Sequence, residues 1–343
     1  MRWPKLLIIS LAVATMLGAV ESPPPHHDTL LTYPAFFSGE LSVLTYNVHG
    51  LPWPLTWGRP ADFLHIADRL EALHGHRPQV VVLQEAFTDE ARQIGHQAGY
   101  RYVANGPDDE KRNPLQPTAA ENRFLSGARW TKGEGLGKFV GSGLQILSDY
   151  PIVRTRSVVF PAFACAGYDC LANKGALMAT IRLPGAAGEV DIVTTHFNSR
   201  GKSGVGDERS DQAYRLQADC LTAFIRDNHD PERPLIVAGD FNIGTSAFRR
   251  TALVDRSRPE WVSGAEVRNV YDEAVRERLP LSTDAEASRK KAKDWQFFSS
   301  GRQTGIALRR VEVPFGRAAD GSMLSDHIGY AAVYALNPAR RTL

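Results

Sequence analysis

The sequence predicts an α/β sandwich, with substantial antiparallel pairing covered by helices, and three observations predict it. Apolar runs of strand length recur along the chain. Amphipathic helical stretches alternate both with hairpins and with single strands. No G-x-G-x-x-G and no P-loop follows a strand, which argues against a doubly wound nucleotide fold. At 343 residues the chain suits one large α/β domain or two small ones, with ample length for a core.

The N-terminus is a separate object. Arg2 and Lys5 precede an apolar run from Leu6 to Leu17, and the small residues Gly18 and Ala19 follow. That order reads as a secretory signal peptide over residues 1–20. The run falls short of the roughly 20 apolar residues that span a bilayer, but Leu17 fits a cleavage site poorly and leaves an uncleaved anchor open. The expected location is secreted or periplasmic. A proline-rich linker, residues 21–40, then leads into one domain over residues 41–337. Removing residues 1–20 takes away two positive charges and brings the formal net charge from +2 to 0. Proteins that live on nucleic acid phosphates usually carry a basic surplus. The one basic run, "RKKAK" from Arg289, reads as a solvated loop or helix end.

Within the domain, "LTYN" alternates as a half-buried strand and is followed by an apolar loop with Pro52, Trp53, Pro54, Leu55 and Trp57. "ADFLHIADRLEALHG" is an amphipathic helix on Phe63, Ile66, Leu70 and Leu73. "PQVVVLQEA" is a buried strand, and "TDEARQIGHQAG" a helix with Thr88 as N-cap and Gly99 as stop. Residues 105–142 form a long polar excursion. "GLQILSDYPIVRTRSVVF" gives two strands around a turn, and "ALMATIRLPGAAGEVDIVTTHF" a hairpin. "SDQAYRLQADCLTAFIRDN" is a helix that buries Leu216, Cys220, Phe224 and Ile225. "RPLIVAGDFNIG", "WQFFSSG" and "HIGYAAVYAL" are further strands. Cys165 and Cys170 are spaced for a local loop disulfide, with three free thiols as the alternative, and Cys220 reads as a core thiol.

One event recurs along these strands. An apolar run ends in a polar residue: Asn47, Glu85, His196, then Asp240 with Asn242; a last strand starts with Asp326 and His327. Buried carboxylates and imidazoles are costly unless paired or metal-bound. Taken singly, Glu85 reads as a helix cap and Asn47 as a turn residue; together they suggest one convergent site. Asn47, Glu85, Asp240, Asn242 and Asp326 offer hard oxygens and no sulfur, which suits Mg²⁺, with Mn²⁺ or Ca²⁺ as alternatives. A divalent cation beside two histidines fits phosphoester hydrolysis.

The ordered set "LTYN", "LQE", "GLQILS-YPI", "TTH", "GDFN" and "SDH" resembles the endonuclease/exonuclease/phosphatase superfamily from about Leu41 to Tyr334. The resemblance implies a four-layer α/β/β/α sandwich with two facing, largely antiparallel sheets, and a Mg²⁺-dependent phosphodiesterase or phosphatase. It implies Asn47, Glu85, Asp240 and Asp326 at the metal, with Asp240 and Asn242 also positioning the nucleophilic water and the phosphate. It implies His196 as phosphate contact and general acid, His327 as base or electrostatic stabiliser, and Asp294 as the carboxylate that orients His327. No orienting partner for His196 is legible.

Within that superfamily, "TYNVHGLP" (with His49 where tryptophan is common), Asp169 with Lys174-Gly175, and Arg215 with Gln217 resemble the secreted sphingomyelinase-like branch. That resemblance implies a phospholipid substrate, sphingomyelin foremost, at a membrane surface, and a monomer is expected. The apolar loop at Trp53 and Trp57 then reads either as a membrane contact or as core packing. A secreted DNase-like endonuclease of the same fold, with nucleic acid as substrate, is the second reading. A catalytically silent binding module is the third.

Overall fold

The computed structural model describes residues 37–73, 76–185 and 188–338, so the expected signal segment and most of the expected linker lie outside the described residues. In chain order, β1 (Glu40–Gly50), β2 (Val80–Ala86), β3 (Tyr102–Asn105) and β4 (Gln145–Ser148) build one sheet. The turn "SDYP" then carries the chain across to a second sheet of β5 (Ile152–Val159), β6 (Gly175–Arg182), β7 (Glu189–His196), β8 (Leu235–Asp240), β9 (Arg268–Asn269) and β10 (Asp294–Ser299). The last strands, β11 (Thr304–Phe315) and β12 (Gly329–Pro338), return to the first. The strand orders are β11-β12-β1-β2-β4-β3 and β5-β6-β7-β8-β10-β9. Two pairs are parallel, β1 with β2 and β7 with β8, and the other pairs are antiparallel.

Parallel neighbours need a crossover, and each pair has a helical one. Helix α1 (Arg59–Ala72) links β1 to β2; the short α2 (Asp89–Arg92), α3 (Ile94–Gln97) and α4 (Ala119–Ser126) follow β2. Helix α5 (Asp207–Asn228) links β7 to β8, and α6 (Ala247–Arg250), α7 (Val270–Arg276) and α8 (Thr283–Lys291) lie between β8 and β10. Thr88 caps α2 as expected, its hydroxyl accepting from the Ala91 amide, but the single helix expected there is broken into α2 and α3. "RKKAK" falls at the end of α8.

Three apolar clusters separate four layers. Neighbouring residues of one strand point to opposite faces, so Val43 and Val82 face inward while Leu44 and Val81 face outward. The inward set meets Leu177, Ile192 and Ile236 of the second sheet in the central core. The outward set packs on Phe63, Ile66 and Leu70 of α1. On the far side, Met178, Val193 and Val237 pack on Tyr214, Leu221 and Ile225 of α5. Burial on both faces is why these strands read as unbroken apolar runs. The fold is the four-layer α/β/β/α sandwich that the sequence predicts, its two mixed sheets mostly antiparallel.

One local expectation is corrected and one open choice is narrowed. Cys220 lies on the flank of α5, half-buried rather than in the core; burial pushes its thiol up to about 12. The apolar loop after β1 does not fold back on the core: Trp53, Leu55 and Trp57 are 72%, 68% and 84% exposed. Cys165 and Cys170 form the expected disulfide. The excursion over residues 105–142 is anchored by Glu134, which is buried and accepts from the Arg129 and Gly167 amides and from Arg209 of α5. Arg209 also lies over the Phe124 ring.

Candidate active site

Strand direction decides where the chemistry sits. The C-terminal ends of the parallel strands β1 and β2 deliver Asn47 and Glu85, and those of β7 and β8 deliver His196 and Asp240. In the β7–β8 register His196 stands opposite Asp240. β10 runs antiparallel to β8, so its first residue, Asp294, also stands opposite Asp240. His327 precedes β12, the antiparallel partner of β1. β1 itself does not stop at Asn47. It continues to Gly50 after a register break, with His49 in left-handed backbone at φ 53°. Glu85 (φ 58°) and Asn242 (φ 48°) are left-handed too. Non-glycine residues adopt that backbone at a cost and cluster at functional sites.

The side chains meet across the two sheets. Asn47 Nδ2 donates to Glu85 Oε1 at 2.9 Å and to Asp240 Oδ2 at 3.1 Å. His196 Nε2 lies 3.6 Å from Asp240 Oδ2 and 3.8 Å from Glu85 Oε1. The Asn242 amide donates to Asp240 Oδ1 at 3.0 Å. His327 Nδ1 sits 2.8 and 3.0 Å from the two Asp294 oxygens, and its Nε2 is 3.8 Å from Asp240 Oδ2. Asp294 thus faces the Nδ1 side of the His327 ring.

Electrostatics follow from burial and neighbours. Burial raises the Glu85 carboxyl above its ordinary value, only partly offset by Asn47. Burial alone would also raise Asp240, but the two histidines hold it below the usual range. Burial, then the Lys174 ammonium, push His196 well down, so it is a neutral imidazole. His327 goes the other way: burial opposes its charge, yet Asp294 and Asp240 lift it to about 9.

These residues fit a hard divalent cation. Glu85, His196 and Asp240 offer atoms within 4.8 Å of one another, as do Asp240, Asp294 and His327. Glu85 Oε2 is buried and has no hydrogen-bond partner among the described residues, a costly state that a bound cation relieves. The structure does not bring Asp326 into this group. Its half-exposed carboxylate pairs with Lys202 Nζ at 2.7 Å and faces His49 Nδ1 at 3.6 Å. Lys202 and, with burial opposing, the nearby histidines hold Asp326 at about 2.

Lys174, from the Asp169 to Gly175 stretch, joins the site directly. Its buried ammonium is paired with Asp169, donates to the Phe197 carbonyl at 3.0 Å and lies 3.2 Å from His196 Nε2. His196 Nδ1 has no partner among the described residues, so Lys174 holds this ring from the Nε2 side. Gln217 is buried, bonded to the Asn198 amide and the Ala164 carbonyl, whereas Arg215 is exposed and pairs with Asp219. Glu85, His196, Asp240, Asn242, His327 and Lys174 face a cleft of about 320 Å³. These residues form its floor; its wall is largely apolar, with Leu51, Leu55, Phe87, Phe139, Tyr168 and Leu171, and also takes in Lys202 and Lys293.

Comparison with known proteins agrees with the fold. A sphingomyelinase of Mycobacterium tuberculosis is 26% identical over 251 residues, which span 69% of this chain and 43% of that protein. The chain therefore matches less than half of that relative. Among solved structures, beta toxin from Staphylococcus aureus with bound magnesium ions superposes with a TM-score of 0.57 at 18% identity, covering 85% of this chain and 99% of that one. D. rerio TDP2 complexed with a single-strand DNA product gives a TM-score of 0.55 at 16% identity, covering 86% of this chain and 98% of that one. The Endonuclease/Exonuclease/phosphatase family profile matches residues 44–327, from the first strand to the second histidine of the site, and the chain belongs to that family.

Proposed function

We propose that this protein is an exported, Mg²⁺-dependent phosphodiesterase that cleaves the head-group phosphodiester of a membrane phospholipid, with sphingomyelin as the foremost candidate. The observation that carries the reading is the two-sided cleft: a polar floor built for phosphoester hydrolysis under a largely apolar wall. Such a gradient matches an amphiphile whose phosphate enters the floor and whose chains stay against the wall. The similarity to a sphingomyelinase supports the same substrate class. The expected export, monomeric state and cation are part of this proposal.

Glu85 and Asp240 would hold the cation, with Asn47 bonded to both. When bound, the ion supplies charge neutralisation at a non-bridging phosphate oxygen. Asn242, fixed by its bonds to Asp240 and Phe197, presents a short polar group to the phosphate. His327, held by Asp294 and charged at neutral pH, places a proton-bearing nitrogen beside Asp240 and stabilises developing negative charge. Neutral His196 and the Lys174 ammonium beside it line the same cleft. Asp326, tied to Lys202, is not one of the ligand groups in this reading.

A nucleic acid substrate is the second reading, favoured by the DNA-bound neighbour of the same fold. An expected exported charge of 0 weighs against it. The test is purified protein with Mg²⁺ on sphingomyelin vesicles, phosphatidylcholine vesicles, double-stranded DNA and a simple phosphomonoester. Release of phosphocholine from sphingomyelin at the highest rate is expected. Cleavage of DNA alone overturns the lipid reading, and inactivity on all four overturns the phosphodiesterase reading.

A further inference from the structure

Arg249, in the short helix α6, is 0% exposed. A buried guanidinium is costly unless its donors are matched. Here they are. Nε donates to Asp211 Oδ1 at 2.6 Å and Nη2 to Ser210 Oγ at 3.2 Å, both on α5. The guanidinium also lies over the Tyr214 ring, 4.6 Å from its centre. The remaining nitrogen, Nη1, donates to two backbone carbonyls at once: Asn198 at 2.6 Å and Asn242 at 2.9 Å. Those carbonyls lie two residues beyond His196 and Asp240, where the chain leaves the parallel strands β7 and β8.

We propose that Arg249 is a positioning residue for the hydrolytic site: by bridging the two loops that leave β7 and β8, it fixes His196 and Asn242 relative to each other. The loops have little other freedom to settle correctly. Asn242 is in left-handed backbone, its amide is bonded to Asp240, and its side chain donates to the Phe197 carbonyl at 3.0 Å. Asn198 in turn donates its amide to Gln217 on α5 at 2.7 Å. A shift of one loop therefore moves the Asp240 carboxylate, the His196 ring or both. Misplacement of about 1 Å in a reacting geometry is enough to cost on the order of 10²-fold in rate. The planar fork is what reaches Asp211 and both carbonyls together. A lysine keeps the charge but offers one point of contact on a flexible stem.

The test is Arg249→Lys, compared with the wild type in two measurements. The first is steady-state turnover of a small soluble phosphodiester, bis(p-nitrophenyl) phosphate, at saturating Mg²⁺. This arm rests on the phosphodiesterase reading. The second is amide hydrogen exchange, which does not. Expected are at least a tenfold fall in kcat with KM within twofold, and faster exchange confined to residues 197–199 and 241–244. Unchanged kcat in a folded variant overturns the proposal. So does exchange that quickens throughout β7, β8 and α5, which would make Arg249 a general brace of the fold. If the wild type hydrolyses no phosphodiester, the functional reading fails, and the exchange pattern alone decides the positioning role. If Arg249→Lys does not fold, Asp211→Asn takes its place. It releases one of the guanidinium's anchors and should lower kcat several-fold with the same local exchange; wild-type kcat and exchange overturn the proposal.

Discussion

The side chains of the site make opposing demands at the scale of single residues. Glu85 is a buried carboxylate with one oxygen bonded by Asn47 and the other without a partner among the described residues. Replacing it by Gln keeps the size and removes the charge that a hard cation needs. We predict that Glu85→Gln abolishes hydrolysis and weakens Mg²⁺ binding in a metal titration while circular dichroism stays native; wild-type turnover at limiting Mg²⁺ would remove Glu85 from the site. His327 owes its charge to Asp294. Its folded-state value, about 9, is raised above the ordinary histidine value. The charge on His327 therefore contributes stability that is fully present below about pH 6.5 and is lost as pH rises through about 9, while burial raises the Asp294 carboxyl despite its imidazolium partner and offsets part of that gain. Asp294→Asn should lower the His327 titration midpoint, measured by NMR on metal-free protein, and cut kcat by roughly 10²–10⁴-fold. A midpoint still near 9 would show that Asp240 alone sets the charge.

At the scale of elements, the loop after β1 carries its own forecast. Trp53 and Trp57 are exposed, and Leu51 and Leu55 of the same loop line the cleft. Tryptophans in that setting suit a membrane boundary. Changing both tryptophans to Ser should weaken binding to sphingomyelin vesicles, since each buried aromatic contributes roughly 1.5–3 kcal/mol, and should spare a soluble phosphodiester. Equal damage to both substrates with a lower Tm would assign the loop to packing. What the sequence shows and hides is also settled at this scale. The strands of both sheets are legible because apolar residues fill both faces, and the site is legible because polar residues end those runs. β11 is not, because Arg309 and Arg310 interrupt its alternation where the pairing register slips. β3 and β9 are too short to carry a period. Arg249 and Lys202 escape notice because an arginine or lysine in a loop or short helix signals nothing until its partners, Asp211 and Asp326, are seen across the fold. The placement of Asp326 was illegible for the same reason: adjacency to His327 in sequence says nothing of the lysine that draws it outward.

At the scale of the whole molecule, the site is a joint between the two halves of the sandwich. Asn47 and Glu85 come from one sheet, His196, Asp240 and Asp294 from the other, and Asn47 is bonded to both acids. Other polar ties cross the central core, such as Gln84 to Thr194 at 3.1 Å and Gln296 to the Val43 carbonyl at 3.0 Å, but these are neutral and already satisfied. Glu85 at the joint is not. Burial raises Glu85, and its Oε2 has no hydrogen-bond partner among the described residues, so the fold carries a local cost there that a bound cation would relieve. A cation that binds only the folded state must then stabilise both sheets together. At a concentration one hundred times its Kd the gain is about 2.7 kcal/mol, which for a domain of this size raises Tm by roughly 5 °C. Glu85→Gln should invert the pattern: the metal-free variant melts at or above the metal-free wild type, because a neutral amide replaces the uncompensated charge, and Mg²⁺ no longer raises its Tm. Differential scanning calorimetry of both proteins, in EDTA and in Mg²⁺, reads all four values. An equal Mg²⁺ shift in both would place the cation away from Glu85, and a metal-free variant that melts well below the wild type would mean that Glu85 is there for the fold and not for the ion.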